Sequence, residues 1–364
     1  MNRIFPLKTR QICLFFIAFL PVNKLFIMPS IVAATARQDM WMSALINMAI
    51  DAATLAVIMF ICAKRNIDFY SILENTFGKT GSKIILSFYF VFFMLKAVLP
   101  ISEQRDFVTL TFYFTRPGGF IFLPFFLAAF YLCLKPLRCV GRCADLLFIP
   151  TIIGFVFLIF LSFGNFELGA LLPFGINGAA PIFEGSYIAS PWYGDCVYYL
   201  FFAGRYLHKK KDGVKILLSY IAACAMVLIF IVVFYGTFSV IAFRQRFAIN
   251  EISKYSTIIN NIGRFDYLST FMLLISGVVS LSLPLYFAGE IMNRNTEIKK
   301  PWIFPLIVSA ITLAVLVVLE QYFASIEKFI TGYASAYFIL LGNLFPIVAA
   351  LFSLKEKKHE IYQS

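Results

Sequence analysis

Charge is scarce in this sequence: Asp, Glu, Lys and Arg make up 14% of its 364 residues, against roughly 25% in a soluble domain. Such a chain lacks the side chains to coat a water-facing surface, which argues against a large soluble helical core. Histidine is rarer still, with His208 and His359 the only two. The seven cysteines, Cys13, Cys62, Cys133, Cys139, Cys143, Cys196 and Cys224, are scattered through apolar stretches and form no disulfide framework. Cys139 and Cys143 sit close together, yet no second pair and no neighbouring histidine completes a zinc site. No glycine loop for nucleotide phosphates is present, and no nucleophile stands beside a plausible base. An enzyme, a metal centre and a cofactor are therefore not expected.

What is present is apolar: 61% of the residues are hydrophobic. The uncharged runs 146–166, 216–243 and 302–319 each come near the roughly 20 residues that cross a hydrocarbon core of about 30 Å. The net charge of +12 comes in short basic clusters between such runs, where it sets topology rather than forming a phosphate-binding stripe. Nucleic acid is not an expected partner. Arg3, Lys8 and Arg10 precede an apolar stretch as in a signal peptide, but no small-residue cleavage site follows. A retained first span is expected.

Hydropathy divides the chain into ten helices, at 9–34, 40–63, 82–112, 119–134, 142–163, 187–207, 213–243, 267–292, 302–319 and 330–354. Alternating the loops puts twenty-one basic residues on the side of the N-terminus and seven on the other. That excess marks the first side as cytoplasmic, with both termini there. One transmembrane domain, 1–364, is expected, with residues 9–163 as a first five-helix repeat and 187–354 as a second. The longest outer loop, 244–266, has Ile249, Ile252, Ser256 and Ile259 at helical spacing. It reads either as an amphipathic helix on the outer face or as a lid over a central site.

Two spans hold residues that a plain membrane anchor avoids. The first contains Leu20-Pro21-Val22-Asn23-Lys24, and the sixth Ser190-Pro191-Trp192-Tyr193-Gly194-Asp195. Proline removes a backbone donor and clashes with the preceding turn, and the polar groups beside it are costly in hydrocarbon unless they face protein or water. Two breaks five spans apart fit inverted five-helix repeats that each begin with a discontinuous helix, with substrate held between the breaks. Two unrelated proline kinks are the alternative. The third helix carries Lys96 and Glu103 on nearly one face at about 100° per residue, with Arg105 pointing the opposite way. Glu103 reads equally as functional or as snorkelling to the boundary. In the eighth, Ser276, Ser280 and Pro284 form a stripe that serves close packing or leaves room for a ligand.

Met28-Pro29 followed by Arg37-Gln38-Asp39-Met40-Trp41, then Glu103-Gln104-Arg105, Gly141-Arg142, Leu172-Pro173 with the glycine-rich stretch 175–185, His208-Lys209-Lys210-Lys211 and Arg264-Phe265-Asp266 occur in order along the chain. Together they resemble the spore germination permease-like family, the B subunits of nutrient germinant receptors, within the amino acid–polyamine–organocation transporter superfamily. The resemblance implies a LeuT-like fold of five plus five helices, all-α and membrane-integral, with helices 1 and 6 broken. It implies residence in the inner membrane of the bacterial spore beside A- and C-type subunits, and binding of a nutrient such as an amino acid. The central pocket then maps to Val22, Asn23, Leu99, Glu103, Tyr193, Gly194, Ser280 and Pro284. Relatives often have glycines at the first break, where this chain has Pro21-Val22-Asn23-Lys24, and Lys24 could occupy a cation position. Three readings remain open: a germinant-sensing subunit; a proton- or cation-coupled transporter of amino acids or amines, suggested by Lys24, Glu103 and Asp195; and a purely structural scaffold for partner subunits, which would bind no ligand.

Overall fold

The computed structural model describes residues 7–65, 69–112, 118–206, 209, 211–254, 266–296, 302–318 and 320–351. His208, Lys210, Arg264 and Phe265, which contribute to the motifs above, and Ser256 and Ile259 of the long loop lie outside them. The described residues form helices and turns joined by short connections, with one isolated backbone bridge between Leu7 and Tyr206.

The first span does not run straight. Helix α1 (Thr9–Leu14) passes into a π turn, Phe15–Phe19, in which the Leu20 N–H donates to Phe15 O. Pro21, lacking an N–H, ends that ladder. One 3₁₀ turn, Val22–Lys24, follows before α2 (Met28–Ala36) restarts, with Pro29 in its first turn, where a missing donor costs nothing. Next come α3 (Met40–Arg65) and α4 (Phe69–Phe112). Gly78 interrupts α4 with φ +70°, so the long transmembrane part begins beyond it. Helices α5 (Gly118–Cys133) and α6 (Leu137–Ser162) follow.

The sixth span repeats the device. Helix α7 (Ala179–Ala189) gives way to a 3₁₀ turn at Ser190–Trp192, then extended Tyr193 and left-handed Gly194, before α8 (Cys196–Phe202). Its helix begins eight residues earlier than the sequence suggests, because the glycine-rich stretch from Ala179 joins it. Helix α9 (Asp212–Phe238) follows, then short α10 (Ala248–Lys254), α11 (Asp266–Thr296), α12 (Ile303–Val318), α13 (Phe323–Thr331) and α14 (Ser335–Ile339), which continues through a π turn to Leu351. Helix α10 is tucked in rather than lying free: Ile249 and Ile252 are buried, and the Ala248 N–H donates to Phe26 O in the bend of the first span at 2.9 Å.

Every one of the ten expected segments has a helical counterpart. Met28–Ile61, Phe69–Leu110, Leu137–Ser162, Asp212–Arg244 and Thr270–Thr296 are each long and apolar enough to cross a membrane, and α12 with α13 makes a bent sixth candidate. The others fall short singly because they are broken or brief. The protein is a multi-pass membrane protein. Helix α11 packs along α4, α5, α6 and α12, while α2 lies against α7 and α3 against α9, so the two broken spans meet inside the bundle. Polar side chains also join the helix ends. At one end Thr9 reaches Asp212 (2.7 Å), Arg10 reaches Asp145 (2.9 Å) and Arg205 reaches Glu290; at the other, Arg246 bridges Asp106 (3.4 Å) and Glu327 (3.6 Å).

Candidate functional site

The breaks fall at residues that weaken a helical ladder: Pro21 and Pro191 lack an N–H, and Gly194 permits a turn that other residues resist. Gly194 adopts φ +79°, a conformation that side chains disfavour. A Cβ there would also stand 3.3 Å from the Cα of Gly342 in the π turn of the last span. Ser190 Oγ donates to Ser335 O (3.1 Å) and Cys196 Sγ to Gly342 O (2.9 Å), which pins both sides of the second break to the same helix.

Four buried charges converge between the breaks. Lys24 Nζ donates to Leu20 O (3.2 Å) and to the Asp195 carboxylate, and it lies 5.2 Å from the centre of the Tyr193 ring. Lys96 Nζ donates to Tyr193 O and stands 3.6 Å from Asp195 Oδ1. Asp51 Oδ2 accepts from the N–H groups of Gly194 (2.8 Å) and Asp195 (3.2 Å) and from the Tyr220 hydroxyl (3.2 Å). All four ionisable side chains are at most 6% exposed. Two ammonium groups balance two carboxylates, which is what allows such a set to stay inside a bilayer-spanning bundle. The cavity beside them, walled by Leu20, Pro21, Lys24, Tyr193, Asp195 and Tyr220, has a volume of about 10 Å³, room for about one water.

A second polar group lies alongside. Asn23 Oδ1 accepts from Ser280 Oγ (2.9 Å) and Gln104 Nε2 (3.3 Å). Glu103 Oε1 accepts from Trp192 Nε1 (2.9 Å), while Glu103 Oε2 and Gln104 Oε1 are buried without a hydrogen-bond partner among the described residues. The Gln104 amide lies against the bare backbone of Gly277, where a Cβ would come within 2.7 Å of Gln104 Nε2.

The eight expected residues divide accordingly. Tyr193 walls the central cavity, and Gly194 supplies an amide to Asp51. Asn23 meets Ser280, and Glu103 meets Trp192. Val22 and Leu99 are buried in the apolar core and, like Pro284 one turn beyond Ser280, do not wall the cavity. Lys96 and Glu103 share a face, as their spacing requires, and reach neighbouring residues of the sixth-span break, Tyr193 and Trp192. Arg105 points away, to Leu316 O (2.8 Å) and Asp106. Main-chain groups at the breaks, Leu20 O, Tyr193 O and the N–H groups of Gly194 and Asp195, are held by charged side chains. Sequence reasoning missed Asp51, Gln104 and Tyr220. Asp51 is the lone charged residue of the span 40–63, which was the available signal. Among the described residues no group of His, Cys, Asp and Glu could hold a metal ion.

In fold, the chain is similar to a mutant of the manganese transporter of Eremococcus coleocola, with a TM-score of 0.52 and 14% identity over 95% of this chain and 76% of that one. The fold is LeuT-like. No curated protein matches the sequence. The spore germination protein family matches residues 6–324, nearly all of the membrane-embedded bundle including both breaks, and the chain belongs to that family.

Proposed function

We propose that this protein is the nutrient-sensing subunit of a spore germination receptor, binding a small molecule, an amino acid above all, between its two broken spans. The observation that carries this reading is the convergence of both breaks on one buried polar centre, through Lys24 and Asp195. A ligand that binds one arrangement of the bundle better than another shifts the population toward it. The shift then passes to A- and C-type partner subunits in the inner spore membrane, with both termini in the cytoplasm and residues 9–163 and 187–354 acting as the two repeats. In the open site Asn23, Glu103, Tyr193, Gly194 and Ser280 provide polar contacts, and Val22, Leu99 and Pro284 apolar ones. Tyr193→Trp and Ser280→Leu should each shift the nutrient dose–response of spores while the protein stays in the membrane. An unchanged dose–response for both would remove this pocket from consideration.

A second reading, a proton- or cation-coupled transporter of amino acids or amines, draws support from the four buried charges and Glu103, because ionisable groups inside a membrane commonly mark coupled pathways. Saturable, gradient-driven uptake of labelled amino acid into proteoliposomes containing this chain alone would decide for it.

A further inference from the structure

The groups that the two breaks release from the helical ladder are already occupied by the protein itself. At the first break the Leu20 carbonyl accepts from the Lys24 ammonium. At the second the Tyr193 carbonyl accepts from Lys96, and the N–H groups of Gly194 and Asp195 both donate to one oxygen of Asp51. A pair of N–H groups suits a carboxylate, and freed carbonyls suit an ammonium. The occupants come from three spans: the first, α3 and α4. The Lys24–Leu20 contact is local, four residues apart, whereas Lys96 and Asp51 reach the second break from other spans and are placed there by the tertiary fold.

Stability alone does not explain them, since buried ion pairs can often be replaced by packed apolar residues without loss. Nor is their fit complete: Asp51 Oδ1 has no hydrogen-bond partner among the described residues. The space left beside them, about 10 Å³, is too small for even the smallest amino acid.

We propose that Asp51 and Lys24 are tethered stand-ins for the carboxylate and ammonium of the nutrient, and that a net-neutral zwitterion opens the site by exchanging for both. The inference rests on the central cavity being the nutrient site. Exchange of a zwitterion leaves the buried charge balanced, and the displaced Lys24 and Asp51 neutralise one another. A bare carboxylic acid or a bare amine leaves one buried ion without a counter-charge, which is strongly unfavourable. The ligand class is thus neutral α-amino acids, in preference to amines, acids, sugars or nucleosides.

The test uses the full chain in lipid nanodiscs. Calorimetric binding is measured for glycine, alanine and valine, for the matching carboxylic acids, and for the matching primary amines. Wild-type protein should bind the zwitterions and discriminate against both half-molecules; an acid or amine binding as tightly as its zwitterion overturns the proposal. Asp51→Asn should gain affinity for the acids by about tenfold or more, and Lys24→Met should gain as much for the amines. The double variant is charge-balanced, has lost the Lys24 ammonium and holds the second break's N–H groups through a neutral amide oxygen only, so zwitterions should bind it about tenfold more tightly than wild type. Should a single variant fail to fold, the double variant decides, and unchanged or weaker zwitterion binding overturns the inference. Wild-type amino-acid binding with selectivity unmoved in every variant overturns the stand-ins and leaves the sensor reading intact. Zwitterion binding by neither wild type nor the double variant overturns both.

Discussion

The contact between Lys24 and Asp195 gives the sharpest energetic prediction. Both side chains are no more than 6% exposed, and their partners in the cluster are Lys96, 3.6 Å from Asp195, and Asp51. Lys24→Met leaves Asp51 and Asp195 facing Lys96 alone, one buried negative charge in excess. Breaking a buried pair from one side costs about 3–5 kcal/mol. Asp195→Asn leaves the opposite excess and costs about as much by the same reasoning. The double variant retains Lys96 with Asp51, a balanced set, and should lie within about 2 kcal/mol of wild type because the pair removed had to be desolvated to form. The coupling between the two sites is then on the order of 5 kcal/mol, well above the 0.5–3 kcal/mol or so found for most contacting pairs. Melting followed by intrinsic fluorescence in detergent or nanodiscs reads it as a fall on the order of 10 °C in each single variant, largely recovered in the double. Additive effects, with coupling below about 1 kcal/mol, would mean that each group meets water or another partner, and the picture of a closed, charge-balanced centre would be wrong.

Three other substitutions probe the surrounding structure, each read by the same melting measurement. Gly194→Ala should destabilise by about 1–2 kcal/mol for its left-handed backbone alone and further by pressing on Gly342, whereas Gly342→Ala meets that contact without the backbone cost. Trp192→Phe removes the hydrogen bond to Glu103 and leaves its buried carboxylate short of a donor, a loss of about 1–3 kcal/mol, while Glu103→Gln, which keeps an acceptor, should lose less. Arg246→Ala breaks contacts to Asp106 and Glu327, but its side chain is 47% exposed, so the melting temperature should move by less than about 1 kcal/mol would produce.

The positions of both breaks were legible at the level of single residues. Pro21 and Pro191 cannot donate to a helical ladder, and Gly194 is the residue type that tolerates its φ of +79°. The stripe on α11 was also visible, although its meaning was not: Ser280 turns out to bond Asn23, and Gly277 makes room for Gln104. Lys24, Lys96 and Asp195 stood out as ionisable residues in apolar surroundings, yet nothing in their spacing named a partner. The early start of α7 was hidden because a glycine-rich stretch reads as loop until tertiary packing against α2 makes it helical.

The amino-acid order by itself determined that this chain crosses a membrane many times, and it marked the first and sixth spans as the candidates for interruption. The first follows from local chemistry, because apolar runs must avoid water; the second needed polar residues beside the proline, since Pro100, Pro124, Pro150 and Pro284 sit inside helices that continue past them. Only the folded bundle decided how the interruptions are satisfied. Asp51 lies 143 residues from Gly194 and Lys24 lies 171 from Asp195, so their meeting depends on how distant helices pack. A lone aspartate in an apolar span announces that some partner exists, because a buried charge without one is too costly; which partner it has is a question of three-dimensional proximity.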